Sequence, residues 1–163
     1  MEKIRYPNLT AKQMPLFLHI QITNLPEEIK FFNPIISYVK EQSPEIIIYD
    51  LDNHSDSLII SYAHKLIADS ETTIIYIETM PESNFKSLMP LFTNFLDDPD
   101  HSQFILQGNN TRLEKILSIL TYIKIPENTP IIDSIELIIK QFFWKIIILR
   151  KFISFLEKFN FLK

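Results

Sequence analysis

The chain of 163 residues has the length of one ordinary domain, contains no cysteine and a single glycine, Gly108, and carries a formal net charge of −4. The missing cysteines exclude disulfides, thiolate metal sites and cysteine nucleophiles, and they favour a cytoplasmic protein. The scarcity of glycine excludes the P-loop, the dinucleotide-binding fingerprint and the G-x-S-x-G nucleophile elbow, each of which needs several glycines.

Acidic and basic side chains are unevenly distributed along the chain. Residues 1–139 hold 10 basic and 19 acidic side chains, whereas residues 140–163 hold 6 basic and 1 acidic. Because an acidic body does not attract polyanions, we expect no nucleic-acid partner unless the basic segment 140–163 alone supplies the contact.

The first predicted strand follows a polar segment, residues 1–14, which we expect to form an extended arm rather than a signal peptide. Residues 16–22, LFLHIQI, are rich in β-forming side chains and end at the turn-like TNLP. Apolar residues then recur every three or four positions from 27 to 40, which predicts an amphipathic helix. Pro34 lies inside this pattern and predicts a bend or a later start.

Strands and helices continue to alternate after this helix. The run EIIIYDL at 45–51 has the continuous apolar centre of a strand covered on both faces. The later predicted elements are a helix from Ser55 or Ser57 to about 68, a strand at 72–77, a helix at 82–96, a weaker strand at 103–107 and a helix from Asn110 or Thr111. This alternation predicts an α/β fold, a three-layer, flavodoxin-like open parallel sheet of about four strands in the order 2-1-3-4.

The segment after the loop PENTP at 126–130 is predicted to be one long C-terminal helix. Residues 131–159 contain no glycine and no proline, so a helix of about 29 residues, on the order of 43 Å long, fits the span 130–160. Its middle is apolar almost all round and therefore needs cover on more than one side. We expect it to pack against the rest of a single domain, 1–163, and against a second copy, which makes the chain a homodimer.

Basic side chains beside aromatic residues in the same helix indicate a second type of cover. They match a helix that lies on an anionic membrane surface, and they are Lys140, Lys145, Arg150, Lys151 and Lys158. Lys140 and Lys145 also interrupt the apolar run, which disfavours a membrane span.

Polar side chains follow the ends of the predicted strands, where doubly wound sheets bind ligands. We predict a ligand-binding rim made of Asn24, Asn53, His54, Glu78, Thr79 and Asn109. His19 lies in the middle of a strand, on the same face as Gln21, and is interpreted as an edge or core histidine rather than a catalyst.

The sequence YDLDNHSDSL at 49–58 places Asp50 and Asp52 two residues apart after an apolar strand. It resembles the first motif of haloacid-dehalogenase-type phosphohydrolases. The resemblance implies that Asp50 accepts the phosphoryl group, that Asp52 is the acid/base, and that Mg²⁺ binds at Asp50 and Asp52, with Thr79 and Lys86 as phosphate-binding groups. The residues alone leave open a second interpretation, in which both aspartates cap the next helix and lie in a solvated loop.

These observations predict a non-enzymatic regulatory or protein-interaction module that self-associates through its C-terminal helix, uses no cofactor and contacts an unidentified protein. The first alternative is a Mg²⁺-dependent phosphoryl-transfer or hydrolytic enzyme that uses Asp50 and Asp52. The second alternative is a peripheral membrane-surface protein anchored by the basic C-terminal helix.

Overall fold

The computed structural model describes residues 14–42 and 46–125, together with Pro130, Asp133 and Lys158. The chain divides into two units, Met1–Glu127 and Asn128–Lys163, and the strands and helices named below belong to the first. The predicted arm at 1–14, apart from Met14, and the predicted helix at 130–160, apart from three single residues, lie outside the described residues. Within residues 14–42 and 46–125, no helix is long and apolar enough to cross a membrane.

Five parallel strands form one sheet in the order β2-β1-β3-β4-β5. The strands are β1 (Leu16–Ile22), β2 (Ile47–Asp52), β3 (Thr73–Thr79), β4 (Ser102–Gln107) and β5 (Tyr122–Ile125). The structure confirms the predicted α/β class and the predicted order of the first four strands, 2-1-3-4. The full order, 2-1-3-4-5, is that of doubly wound sheets of the flavodoxin type. The fifth strand was not predicted, because only its pairing with β4 distinguishes the four residues YIKI from a loop.

The α-helices in the described part of the chain follow the predicted alternation. They are α1 (Pro34–Gln42), α2 (Ser57–Asp69), α3 (Met89–Asp97) and α4 (Thr111–Leu117). The Asp56 carboxylate begins α2 by accepting the N–H groups of Leu58 and Ile59, and the Asn110 side chain begins α4 by accepting that of Leu113. Such side-chain caps satisfy N–H groups that have no partner inside the helix.

The helix predicted from 27 to 40 is wrong in its first half, and the later start at Pro34 is confirmed. Proline suits the first turn of a helix because it has no N–H group to donate. Asn33, the residue before Pro34, caps the helix by accepting the N–H of Ile35 with its side chain at 2.9 Å. Residues 29–33 therefore form no regular structure, and Phe32 is 74 % exposed. In the same way α3 begins at Met89 instead of 82, because Pro90 lies in its first turn and a 3-10 turn, Lys86–Leu88, precedes it.

Strand β2 differs from its prediction in position. Its apolar sequence indicated a strand covered on both faces, but β2 is the edge strand and its first residues are only half-buried. Tyr49 uses this place to contact Tyr62 of α2, with ring centroids 5.4 Å apart. An apolar edge strand in contact with a helix thus gives the same sequence pattern as a central strand.

The two faces of the sheet differ in polarity. On one face, Leu16, Leu18 and Ile20 of β1 belong to an apolar core to which α2, α3 and α4 contribute. Successive residues of a strand point to opposite faces, so His19 and Gln21 lie on the other face. The register places His19 beside Asp50 of β2 and beside Tyr76 of β3, and it places Gln21 beside Glu78. Polar side chains from three adjacent strands therefore meet on this second face.

Candidate functional site

A buried histidine between two carboxylates lies at the centre of the polar face. His19 is completely buried, and its Nε2 atom lies 2.8 Å from Oε2 of Glu78. Its Nδ1 atom lies 2.9 Å from Oδ1 of Asp50, but the direction of this contact is unsuited to a ring N–H hydrogen bond. Asp50 is therefore an ion-pair partner of His19, whereas Glu78 is both an ion-pair and a hydrogen-bond partner.

Neighbouring side chains hold this charge cluster, which we define as Asp50, His19 and Glu78. The imidazole ring stacks on Tyr76, with centroids 5.3 Å apart and an interplanar angle of 17°. The Tyr76 hydroxyl donates to Oε1 of Gln107 on β4. Asn33, which also fixes the start of α1, donates from Nδ2 to Oε2 of Glu78 at 3.0 Å. The position of Glu78 is thus coupled to β1 and to the segment before α1.

The charge cluster shifts the pKa values of His19 and Glu78. Burial lowers the pKa of His19, but the carboxylates of Asp50 and Glu78 outweigh burial and raise the pKa from 6.5 to about 9. Burial raises the pKa of Glu78, but the hydrogen bond and charge of His19, and then the charge of Lys30, outweigh it and bring the pKa below 4.5. At neutral pH the cluster therefore contains an imidazolium and an ionised Glu78.

These pKa shifts predict how stability depends on pH. The protonated His19 makes its full contribution to stability below pH 6.5, the ordinary pKa of histidine. This contribution is lost as the pH rises through the raised pKa of about 9. Glu78 stabilises the fold above 4.5, and its contribution is lost as pH falls through its lowered pKa. We expect the free energy of unfolding to be highest between pH 4.5 and pH 6.5, the ordinary pKa values of the two groups. As the pH rises from 6.5 past 9, the free energy of unfolding should fall by ~3 kcal/mol.

Urea unfolding of the full chain at a series of pH values measures this dependence. The His19→Gln variant serves as the control, because it lacks the group that titrates and should not show the alkaline fall. An alkaline fall of equal size in the variant and in the unchanged chain would show that another group is responsible.

A cleft of about 200 Å³ opens at the carboxyl ends of β1, β3 and β4. In the sheet, β1 lies between β2 and β3, so the chain crosses from one side of β1 to the other after β2. Doubly wound sheets bind ligands at the point where the strand order changes direction in this way. Glu78, Gln107 and Lys30 line the cleft. The Gln21 side chain accepts the N–H of Lys30 and donates to its carbonyl, both at 2.9 Å, and so fixes the Lys30 main chain at the cleft.

The single glycine of the chain also lines this cleft. Gly108 follows β4 with a φ of +97°, a conformation that side chains disfavour. A Cβ atom at this position would lie 2.1 Å from the main-chain oxygen of Thr79. Glycine is therefore required here because the loop after β4 passes directly against the end of β3.

The structure divides the predicted rim between two neighbouring depressions. Glu78 and Thr79 line the cleft, whereas Asn24, Asn53 and His54 line an adjacent depression of about 420 Å³. The sixth rim residue, Asn109, is exposed in the loop between β4 and α4 and lines neither of them.

Asn53 has a structural role at the adjacent depression. Its Oδ1 accepts the N–H of Thr23, and its Nδ2 donates to the carbonyls of Thr23 and Asn84 at 2.8 Å each. The amide thereby joins the loops that follow β1, β2 and β3. Its hydrogen-bonding groups are used inside the fold, which leaves His54 and Asn24 as the more accessible rim residues there.

The predicted catalytic aspartates lie within β2 and not beyond its end. Asp50 pairs with His19, and Asp52 accepts the main-chain N–H of His54 at 2.7 Å. The N-cap of α2 is Asp56, so the interpretation that Asp50 and Asp52 cap the next helix is wrong. Among the residues that the structure describes, no group of three or more His, Asp or Glu side chains is arranged to hold a metal ion. The Mg²⁺ site at Asp50 and Asp52 stays a prediction.

The link between His19 and Glu78 was missed in the sequence analysis. The signal for it is the period of two within strands, which places His19 and Gln21, and likewise Tyr76 and Glu78, on common faces. The predicted order 2-1-3 makes β1 the neighbour of both β2 and β3. Combining the two patterns would have placed His19 between carboxylates on either side.

Comparison of the chain with known protein families, curated proteins and solved structures finds no significant match. The chemical capacity of the cleft follows from its own groups. Glu78 supplies a fixed negative charge, Lys30 supplies a positive charge, and Gln107 supplies an amide. These are groups that bind and orient polar molecules by charge and hydrogen bonding.

Proposed function

We propose that the chain is a non-enzymatic regulatory or protein-interaction module that self-associates through the helix predicted at 130–160. The main support is the pairing of Asp50 with His19 at 2.9 Å. The carboxylate predicted as the phosphoryl acceptor compensates a buried imidazolium, and Asp52 binds a main-chain N–H of its own turn. Each carboxylate thus has a partner within the fold, which favours a structural role over attack on a substrate.

Exposed aromatic side chains beside the cleft support the interaction part of the proposal. Phe31 is 97 % exposed and Phe32 is 74 % exposed, in the segment that precedes α1. This segment also contains Lys30, whose main chain is fixed by Gln21. Contiguous exposed apolar side chains are typical of surfaces that contact other proteins.

Light scattering of the full chain at several concentrations tests self-association. We expect twice the chain mass of 19.3 kDa. Phe142 and Leu149 are seven residues apart and would lie on one apolar stripe of the predicted helix. The variants Phe142→Glu and Leu149→Glu should therefore give folded monomers, whereas Lys145→Glu, which adds the same side chain at a charged position, should leave the dimer. Circular dichroism checks that each variant is folded.

Three outcomes would contradict this proposal. A full chain that is monomeric at every concentration rules out self-association. A rise in melting temperature with Mg²⁺ that Asp50→Asn abolishes would support the metal-dependent alternative, because a ligand specific to the folded state stabilises it. Salt-sensitive sedimentation with anionic liposomes would support the membrane-surface alternative.

A further inference from the structure

Two opposite charges lie at the cleft between β1 and β3. At its floor, the Glu78 side chain is 19 % exposed and is fixed through Oε2 by His19 at 2.8 Å and by Asn33 at 3.0 Å. At its edge, Lys30 is held by two hydrogen bonds between its main chain and Gln21, while its residue as a whole is exposed. Neither of these hydrogen bonds uses the Lys30 ammonium, whose positive charge is near enough to Glu78 to lower the pKa of that carboxyl.

The groups beneath the cleft keep this charge pattern in place. Of the three members of the charge cluster, only Glu78 lines the cleft, while His19 pairs with both Glu78 and Asp50. Gln107 accepts the Tyr76 hydroxyl with its Oε1 atom, which leaves its NH₂ group as the donor for another partner. The cleft therefore combines Glu78 as an anionic acceptor with one cationic and one neutral donor. A second carboxylate in its lining, Glu28, already accepts the main-chain N–H groups of Asn24 and Leu25.

We propose that this cleft binds a small zwitterion of amino-acid size, with its ammonium group on Glu78 and its carboxylate on Lys30 and Gln107. The cleft, at about 200 Å³, is smaller than the roughly 300–1,000 Å³ of drug-sized sites. A ligand with only one charge would remove water from both Glu78 and Lys30 but would pair with only one of them, which is unfavourable. This inference adds a ligand to the proposed regulatory module, but the site itself does not depend on self-association.

Calorimetric titration and thermal unfolding of the full chain test the ligand class. The zwitterionic probes are γ-aminobutyrate and the standard L-amino acids, and the single-charge probes are butylamine and butyrate. We expect at least one zwitterion to bind and to raise the melting temperature, and we expect neither single-charge probe to do so at the same concentration. Absence of binding by every zwitterion, or equal binding by butylamine or butyrate, would overturn the inference.

Substitutions in the full chain locate the site. Lys30→Met and Glu78→Gln should each weaken binding of the best zwitterion at least roughly tenfold, because each removes one charge-assisted hydrogen bond. The matched controls are Lys40→Met and Glu27→Gln, which alter exposed residues outside the cleft and should leave the affinity unchanged. An equal loss in a control variant would overturn the inference.

The Lys30→Met variant keeps the test decisive if Glu78→Gln destabilises the fold, since the hydrogen bonds that hold Lys30 in place come from its main chain and remain in the variant. Unchanged affinity in folded Lys30→Met would exclude the proposed carboxylate contact. The mass of the protein is measured separately, so a monomer that binds a zwitterion would overturn self-association and leave the cleft proposal standing.

Discussion

Replacing His19 with leucine is expected to lower the free energy of unfolding by about 3–5 kcal/mol at neutral pH. Leucine fills much of the volume of the imidazole, but it removes the positive charge that compensates Asp50 and Glu78. The two carboxylates would then face each other across β1 with no cation between them. Denaturant unfolding monitored by circular dichroism measures the loss.

A double variant separates charge from packing in this experiment. If uncompensated charge is the cause, His19→Leu combined with Glu78→Gln should be more stable than His19→Leu alone, since the neutral amide needs no counter-ion. His64→Leu, on the partly exposed side of α2, is the matched histidine control and should change stability much less. Equal losses from His19→Leu and His64→Leu would show that the charge cluster does not stabilise the fold.

The second large effect is expected from Gly108→Ala, which we predict to lower the free energy of unfolding by at least ~3 kcal/mol. The added Cβ would meet the Thr79 oxygen at 2.1 Å, and the φ of +97° is unfavourable for alanine. Because the atom it meets belongs to the main chain of β3, a side-chain rotation cannot relieve the contact. Thermal and urea unfolding measure the change.

The control for Gly108→Ala is Arg112→Ala, an exposed position four residues later in α4. Its effect should lie within about 0.5 kcal/mol, as for most surface substitutions. If Gly108→Ala retains full stability, the loop after β4 can move away from β3, and the close approach of the two would not be a requirement of the fold.

The predicted strands were found mainly where the chain has continuous apolar runs. LFLHIQI became β1 as predicted, and the runs that became β2, β3 and β4 differ from their predictions by one or two residues at one or both ends. Buried parallel strands need apolar side chains on both faces, so their composition alone distinguishes them from loops. The run YIKI of β5 is too short and too polar to do so.

The helix starts were less predictable because short-range geometry competes with hydrophobic periodicity. The apolar spacing in 27–40 indicates one helix, but Pro34 and the Asn33 cap start it seven residues later. Phe31 and Phe32 are exposed for this reason. A periodic pattern reports which residues would share a face if the helix formed, and local caps decide where it begins.

The sequence by itself determined the α/β class and the excluded glycine-loop and thiol chemistries, because these follow from local composition and alternation. The order of the first four strands was predicted correctly from the known orders of doubly wound sheets. Only the tertiary structure decided that Asp50 compensates His19, that Glu78, 59 residues from His19, completes the cluster, and that Gly108 lies against Thr79. Contacts between distant residues depend on strand register and on depth in the sheet. Neither is encoded by the residues adjacent in the chain.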